Sequence, residues 1–330
     1  MLWIQFFIAA GLIVFFGRKL SLFGDIISEK TPLSGSVIGF SLLAIITSFP
    51  ELITSIGAVA TLKIPAPDLA LGNIFGSIMC NLFILVLIDA YFAGSLLKTI
   101  ATKQNSIILI LTILMSVIAM VFMFIKPGLI LFNVGADSWL ILAIYIISLK
   151  YLYSREDKKP DICKEIEKKY EHTSLGKVFF GFVFSAAVIL CAGLWLSHIG
   201  DSIARETTMS HTFVGILFLA ISTSLPELTV SFTAVRLGAI EMSVGNLLGS
   251  NIFNVLIIVF ADIFFKKGDV LSASSTSTLV ACFLGLLMNL VLLISLVHKT
   301  KPVYKKRISL TSIVLAIIYL TGMIFLYKIR

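Results

Sequence analysis

Several stretches of this chain carry no charge for about as long as a helix takes to cross a bilayer, and that property alone excludes most architectures. Ser106 to Ile125 and Gly181 to Ser197 match or approach the roughly 20 residues that span a hydrocarbon core. A backbone in lipid has no water to bond, so such runs must be helices that satisfy their own N–H and C=O groups. Composition agrees: 58% of the 330 residues are hydrophobic and 13% charged, against about 25% charged in a soluble domain. Secreted, nuclear and cytosolic enzymes are thereby excluded. The excess of 26 Lys and Arg over 18 Asp and Glu reports membrane orientation here, and no nucleic-acid partner is expected.

Apolar runs place ten spans near 2–24, 34–61, 68–92, 105–125, 137–153, 176–199, 209–236, 242–265, 276–297 and 308–327. The short apolar stretch Pro127 to Val134 is assigned to the end of the fourth span. Met1 to Phe16 lacks a basic leader and a small-residue cleavage site, and is read as part of the first helix. A charged segment, Arg155 to Ser174, divides the spans five and five. With its six basic and six acidic residues between Arg155 and Glu171, it reads as a solvated connector rather than a regulatory Ca2+ site.

Ten spans alternate sides, so the loops pool into two sets. One holds 19 of the 26 Lys and Arg, the other seven. The asymmetry puts the linker 155–175 in the cytoplasm and both termini outside a multi-pass cell-membrane protein. Cys80, Cys163, Cys191 and Cys282 form no CxxC pair, so neither a disulfide framework nor a zinc site is expected, and they read as reduced thiols mostly at lipid depth. His172, His198, His211 and His298 lie near the linker or span ends and read as interfacial.

The chain repeats itself across the linker. FSLLAIITSFPELITSIGAV (40–59) answers FLAISTSLPELTVSFTAV (218–235), and LGNIFGSIMCNLFILVLIDA (71–90) answers VGNLLGSNIFNVLIIVFADI (244–263). The offsets are 176 and 173 residues. Five spans per half is an odd number, so the second half starts on the opposite face and the repeats are inverted. Secondary transporters use this arrangement to place a site near the midplane and open it to each side in turn. The expected fold is an all-α polytopic membrane protein of ten transmembrane helices in two inverted five-helix repeats: 1–154 with its repeated region about 39–90, and 176–330 with its repeated region about 215–263.

Within the first block, Thr47, Ser48 and Glu51, like Thr223, Ser224 and Glu227, have i, i+1, i+4 spacing, which gathers two hydroxyls and a carboxylate on one side of a helical turn. Pro50 and Pro226, read as lying inside a helix, remove the N–H that would bond the carbonyls of Ile46 and Ser222 and free backbone oxygens for a ligand. A glutamate at mid-membrane costs about 3 kcal/mol or more, and no Lys or Arg lies in either motif to neutralise it. A bound cation would. The second block adds Asn73, Ser77 and Asn81, and Asn246, Ser250 and Asn254, as polar stripes at i, i+4, i+8, for which hydrogen bonding between helices is the competing explanation. Gly72 with Gly76, and Gly245 with Gly249, form small-xxx-small pairs for close helix approach. Carboxylate, hydroxyl, amide and carbonyl oxygens without His or Cys at matching spacing describe a site for a hard cation. Two ionised glutamates suit one Ca2+ or a small group of Na+, not both together, and that exclusion is the basis of exchange. Asp89 and Asp262, repeat-related and eight residues past Asn81 and Asn254, read either as vestibule ligands or as water-facing helix ends.

The paired TSFPE/TSLPE and GNIFGSIMCN/GNLLGSNIFN segments resemble the two alpha-repeats of calcium:cation antiporters of the sodium/calcium exchanger type, without a large regulatory loop. The resemblance implies four ion subsites lined by Glu51 and Glu227, by Thr47, Ser48, Thr223 and Ser224, by Ser77 and Ser250, and by Asn81 and Asn254, with the backbone carbonyls of Ala44 and Ala220 as further ligands. It implies no cofactor, Na+ and Ca2+ as transported ions, and a monomer in the lipid bilayer. The chain departs from the family pattern at Ile46 and Ser222, where Gly is common, and at GSIMCN, which puts Ile78 and Cys80 by the site. Asn at both 81 and 254 argues for potassium independence, and the lack of a glutamate soon after each GN favours Na+ over H+ coupling. The remaining alternatives are a proton-coupled or broader divalent-cation exchanger and a cation channel. An intramembrane hydrolase has no HExxH, GxSxG or catalytic Asp pair to support it.

Overall fold

The computed structural model describes residues 2–60, 65–92, 96–154, 170, 173–206, 222–298, 302–304 and 308–329. The charged connector 155–169, Cys163, His172 and His211 fall outside these.

Helix α1 is Leu2–Lys30. The second span is interrupted: α2 (Gly35–Val37) passes into a wide π turn (Ile38–Leu43), then α3 (Ala44–Thr47) and, after a break, α4 (Phe49–Ala60). Then come α5 (Pro67–Tyr91), a short α6 (Leu96–Thr99), α7 (Lys103–Ile125) and α8 (Ala136–Ser154). The second half contains α9 (Leu175–Glu206), α10 (Leu225–Arg236), α11 (Ile240–Phe264), α12 (Thr276–His298) and α13 (Leu310–Lys328). Starts are set by side-chain caps: Ser34, Thr102 and Ser309 each accept a backbone N–H from three residues on, satisfying a donor the helix leaves open. Among the described residues, eight helical spans are long and apolar enough to cross a membrane. The protein is a polytopic all-α membrane protein.

The stretch 127–134 does not extend the fourth span. Lys126 ends α7 in a left-handed conformation, and β1 (Ile130–Leu131) pairs antiparallel with β2 (Val134–Gly135) across a turn in which Phe132 and Asn133 both have positive φ. The turn at 132–133 demands the two positive φ values of a tight hairpin, and a chain bent this way cannot continue a helix. Phe132 stands 92% exposed beside Trp139, suiting the headgroup layer where aromatic rings collect. A second hairpin, β3 (Pro302–Tyr304) with β4 (Ile308–Ser309), precedes α13 as the first precedes α8.

The centre of the protein is α5 packed on α11, whose most apolar stretches are 72% and 83% buried against 28% for α1. These repeat-related helices run in opposite directions. Asp68 at the start of α5 accepts the Ser275 N–H and the Thr278 hydroxyl at the start of α12, while Asp262 at the end of α11 meets the start of α8. On α11, a Cβ at Gly245 would lie 2.6 Å from the Ser36 carbonyl, and one at Gly249 2.6 Å from that of Phe40, so the backbones of α11 and the interrupted second span touch directly. Gly249→Val should therefore cost at least about 1–3 kcal/mol of overpacking, read as a lower unfolding midpoint in detergent. An unchanged midpoint would show that the contact yields. Gly72 and Gly76 have no described atom so placed, and the segment related to 36–44, 212–220, lies outside the described residues.

Asp89 and Asp262 are not water-facing helix ends. Both are fully buried. The Asp262 carboxylate accepts the N–H of Gly135 at 2.6 Å, the Ser138 hydroxyl at 2.9 Å and the N–H of Val270 at 2.8 Å. Asp89 accepts the Ser312 hydroxyl at 2.6 Å. Each aspartate ends a central helix of one half and receives the first turn of the last helix of the other half, where open donors and the helix dipole favour an anion. Of the described cysteines, Cys80 and Cys282 are buried and Cys191 is exposed, all with free thiols. His198 and His298 are exposed.

Candidate functional site

The two halves break their helices in the same way. Ser48 stops α3 with φ −88° and ψ 7°, and Ser224 precedes α10 with φ −88° and ψ 3°. Pro50 and Pro226 follow two residues later, in the first turn of the next helix. The prolines do not sit inside a helix, as the sequence pattern suggested: in a first turn the missing N–H has no partner to lose, so the break falls at the preceding serine. Glu51 and Glu227 come next, still in the first turn, where the positive end of the helix dipole favours carboxylates.

Both glutamates are fully buried, and each receives hydroxyls from the site around it. Ser48 donates to Glu227 Oε1 at 2.9 Å, across the halves, and Ser77 donates to Glu51 Oε1 at 3.4 Å. Thr223 is a hydrogen-bonding neighbour of Glu51, and the two carboxylates act on each other electrostatically. Thr47 lies 3.4 Å from the Ser250 hydroxyl and donates to Asn246 Oδ1 at 3.3 Å. Asn81 donates to Asn251 Oδ1 at 3.1 Å. The fold thus brings Glu51, Glu227, Thr47, Ser48, Thr223, Ser77, Ser250 and Asn81 into one buried polar seam between the halves, with Ser224 at the break before α10 and Asn254 one turn beyond Ser250 on α11. The carbonyl of Ala44 lies at the same break and accepts the Ser48 N–H at 3.0 Å and the Thr47 hydroxyl at 3.4 Å. Ala220 lies outside the described residues.

The seam is unevenly satisfied. Oε2 of both glutamates, Oδ1 of Asn81, the whole Asn254 amide and the Ser224 hydroxyl are buried without a hydrogen-bond partner. Native proteins rarely leave such groups unpaired unless a ligand or ion completes them. Among the described residues no cationic side chain pairs with either glutamate, and no cluster of three His, Cys, Asp or Glu forms a metal-binding group. The charge of the seam is therefore that of two carboxylates surrounded by neutral oxygens, a donor set for hard cations.

Asn73 and Asn246 brace rather than line this seam. Asn73 donates to Ser55 Oγ at 3.1 Å and to the Glu51 carbonyl at 3.2 Å, and Asn246 donates to Ser231 Oγ at 2.9 Å. Ser55 and Ser231 each follow their glutamate by four residues, so the repeat itself carried a signal for them. Asn251 has no counterpart, since Ile78 holds the related position, and only the fold reveals its contact with Asn81.

The chain is similar to known proteins both in sequence and in fold. The family described as sodium/calcium exchanger protein matches residues 1–154 and 177–328. Sodium/calcium exchanger MaX1 of Methanosarcina acetivorans is 24% identical over 265 residues, 71% of this chain and 74% of that one. Inner membrane protein YrbG of Escherichia coli is 23% identical over 262 residues, 78% of each. The solved structure of the sodium-calcium exchanger NCX_Mj, soaked with 10 mM Na+ and zero Ca2+, superposes with a TM-score of 0.70 over 100% of both chains at 22% identity, a likeness of fold.

Proposed function

The chain belongs to the sodium/calcium exchanger protein family, a family of transporters and not enzymes, and from that premise we propose that it exchanges Na+ for Ca2+ across the cell membrane by alternating access. The observation that carries this reading is the pair of unpartnered Oε2 atoms, one on Glu51 and one on Glu227, in a buried seam where no cationic side chain pairs with them among the described residues. The ions complete the shell. Glu51 and Glu227 supply its charge; Thr47, Ser48, Thr223, Ser224, Ser77, Ser250, Asn81 and Asn254 supply neutral oxygens, and the carbonyls of Ala44 and Ala220 two more. No cofactor takes part. One Ca2+ or a few Na+ neutralise the carboxylates, and the two loads exclude each other.

The architecture that suits this function is ten helices in two inverted halves, 1–154 and 176–330, joined by a cytoplasmic linker, with both termini outside and the chain acting as a monomer. Support comes from the opposed directions of α5 and α11, the matching breaks at Ser48 and Ser224, and the crossed aspartate contacts. Helices α1 and α9 support alternation. They pack on each other, as in the Phe16–Phe184 ring contact at 5.7 Å. Each also touches the other half's broken helix through a repeat-related glycine: Gly17 against Thr229 and Gly193 against Pro50. Glycine at both contacts lets the helices approach closely without a side chain of α1 or α9 interlocked there, which suits a pair of helices that shifts across the rest.

The test replaces the driving ion. In vesicles, Ca2+ uptake should follow an imposed Na+ gradient, saturate and be stimulated by Ca2+ on the opposite side. Uptake that follows a pH gradient without Na+ would overturn Na+ coupling, and uptake without saturation or trans-stimulation would mark a channel. Asn81→Ala should slow exchange less than loss of either glutamate charge, because an amide contributes a dipole and no net charge. Equal losses would contradict this ranking.

A further inference from the structure

Away from the ion site, α1 and α10 border a groove of about 570 Å³, within the roughly 300–1,000 Å³ of sites that take small ligands. Its walls are Val14 and Leu22 of α1 and Leu228 and Phe232 of α10, and its two charged lining residues are Arg18 and Arg236, with no acidic residue among them. Arg236 is held with its guanidinium 5.6 Å over the Phe232 ring. Neither arginine has a carboxylate partner among the described residues, and both are exposed. Lys19, stacked 4.7 Å over Phe15, extends the same positive field. Uncompensated like charges beside lipid are costly, and guanidinium groups match phosphate oxygens in two-point geometry. An apolar floor beneath a double-arginine rim fits an amphiphile whose anionic head meets the arginines and whose chains lie along the walls.

We propose that this groove binds an anionic phospholipid, its phosphate held between Arg18 and Arg236. The occupant would bridge α1 of the first half to α10 of the second, at Leu228 and Thr229 beside Glu227. The lipid site stands whichever ion is exchanged.

Native mass spectrometry of the full chain in detergent, titrated with dioleoyl phosphatidylglycerol or dioleoyl phosphatidylcholine, tests it directly. Each arginine near an anionic headgroup is worth about fivefold, so phosphatidylglycerol should be retained roughly 30-fold better than phosphatidylcholine. Arg18→Gln or Arg236→Gln should each remove about a factor of five, and the double variant should abolish the preference. The double lysine variant should keep most of it, and inorganic phosphate should not displace the lipid. Equal retention of the two lipids by the wild type, a preference that survives in the double Gln variant, or displacement by inorganic phosphate would each overturn the proposal. If the Gln variants fail to fold, the wild-type lipid comparison and the phosphate competition still decide it.

Discussion

Glu51→Gln and Glu227→Gln are each expected to abolish Ca2+ uptake driven by a Na+ gradient in vesicles, by at least about 100-fold, while the protein still folds. Glutamine keeps the volume of the side chain and an oxygen able to accept from Ser77 or Ser48, so the helix breaks and the packing around them need not change. What disappears is one of the two formal charges of the seam. Removing one partner of a buried charge pair costs about 3–5 kcal/mol, which corresponds to more than a hundredfold in affinity, and the neutral oxygens already in place have no means of replacing it. Folding should not suffer, because the variant removes an anion that has no cationic partner among the described residues. Undiminished uptake in either variant would refute the ligand assignment. Loss of uptake together with loss of monodisperse protein would indicate a structural role instead.

The second large effect is on stability. Asp262→Ala is expected to lower the unfolding midpoint strongly, because it strips the acceptor from the N–H groups of Gly135 and Val270 and from the Ser138 hydroxyl. Hydrogen bonds to a charged group contribute about 1.5–3 kcal/mol each, and stranded donors add their own desolvation cost. A loss of several kcal/mol is the expected outcome even after neighbours relax. The contacts join the end of α11 to the start of α8, so the variant loosens one half from the other. Thermal unfolding followed by size-exclusion chromatography in detergent measures it; a midpoint equal to that of the wild type would show that the buried carboxylate is dispensable.

The α-helical membrane class, the family and the doubled glutamate motif were all legible in the sequence, because each rests on local signals: uncharged length, a repeated Pro-Glu, a repeated Asn ladder. The 127–134 hairpin was not. Where nearly every residue is apolar, hydrophobic runs cease to separate helix from turn, and neither Phe132 nor Asn133 announces the positive φ it adopts. The placing of the prolines was misread for a related reason: the motif marks a break, but the dihedrals at Ser48 and Ser224 decide on which side of it the proline falls. Asp89 and Asp262 exceeded local reasoning because, apart from Val270, the partners described for them lie 223 and 124–127 residues away. Asn251 breaks the repeat and so lacked the symmetry that singled out the other polar residues, whereas Ser55 and Ser231 obeyed it.

Equilibrium Ca2+ binding to the purified protein, its two single Gln variants and the double variant tests most directly whether both glutamates grip one ion. A shared site predicts one high-affinity Ca2+ per chain in the wild type, displaced by Na+. It also predicts that each single variant loses nearly as much affinity as the double, since either substitution removes the same shared ligand shell. Two separable sites, seen as half the stoichiometry in each single variant or as losses that simply add in the double, would contradict it.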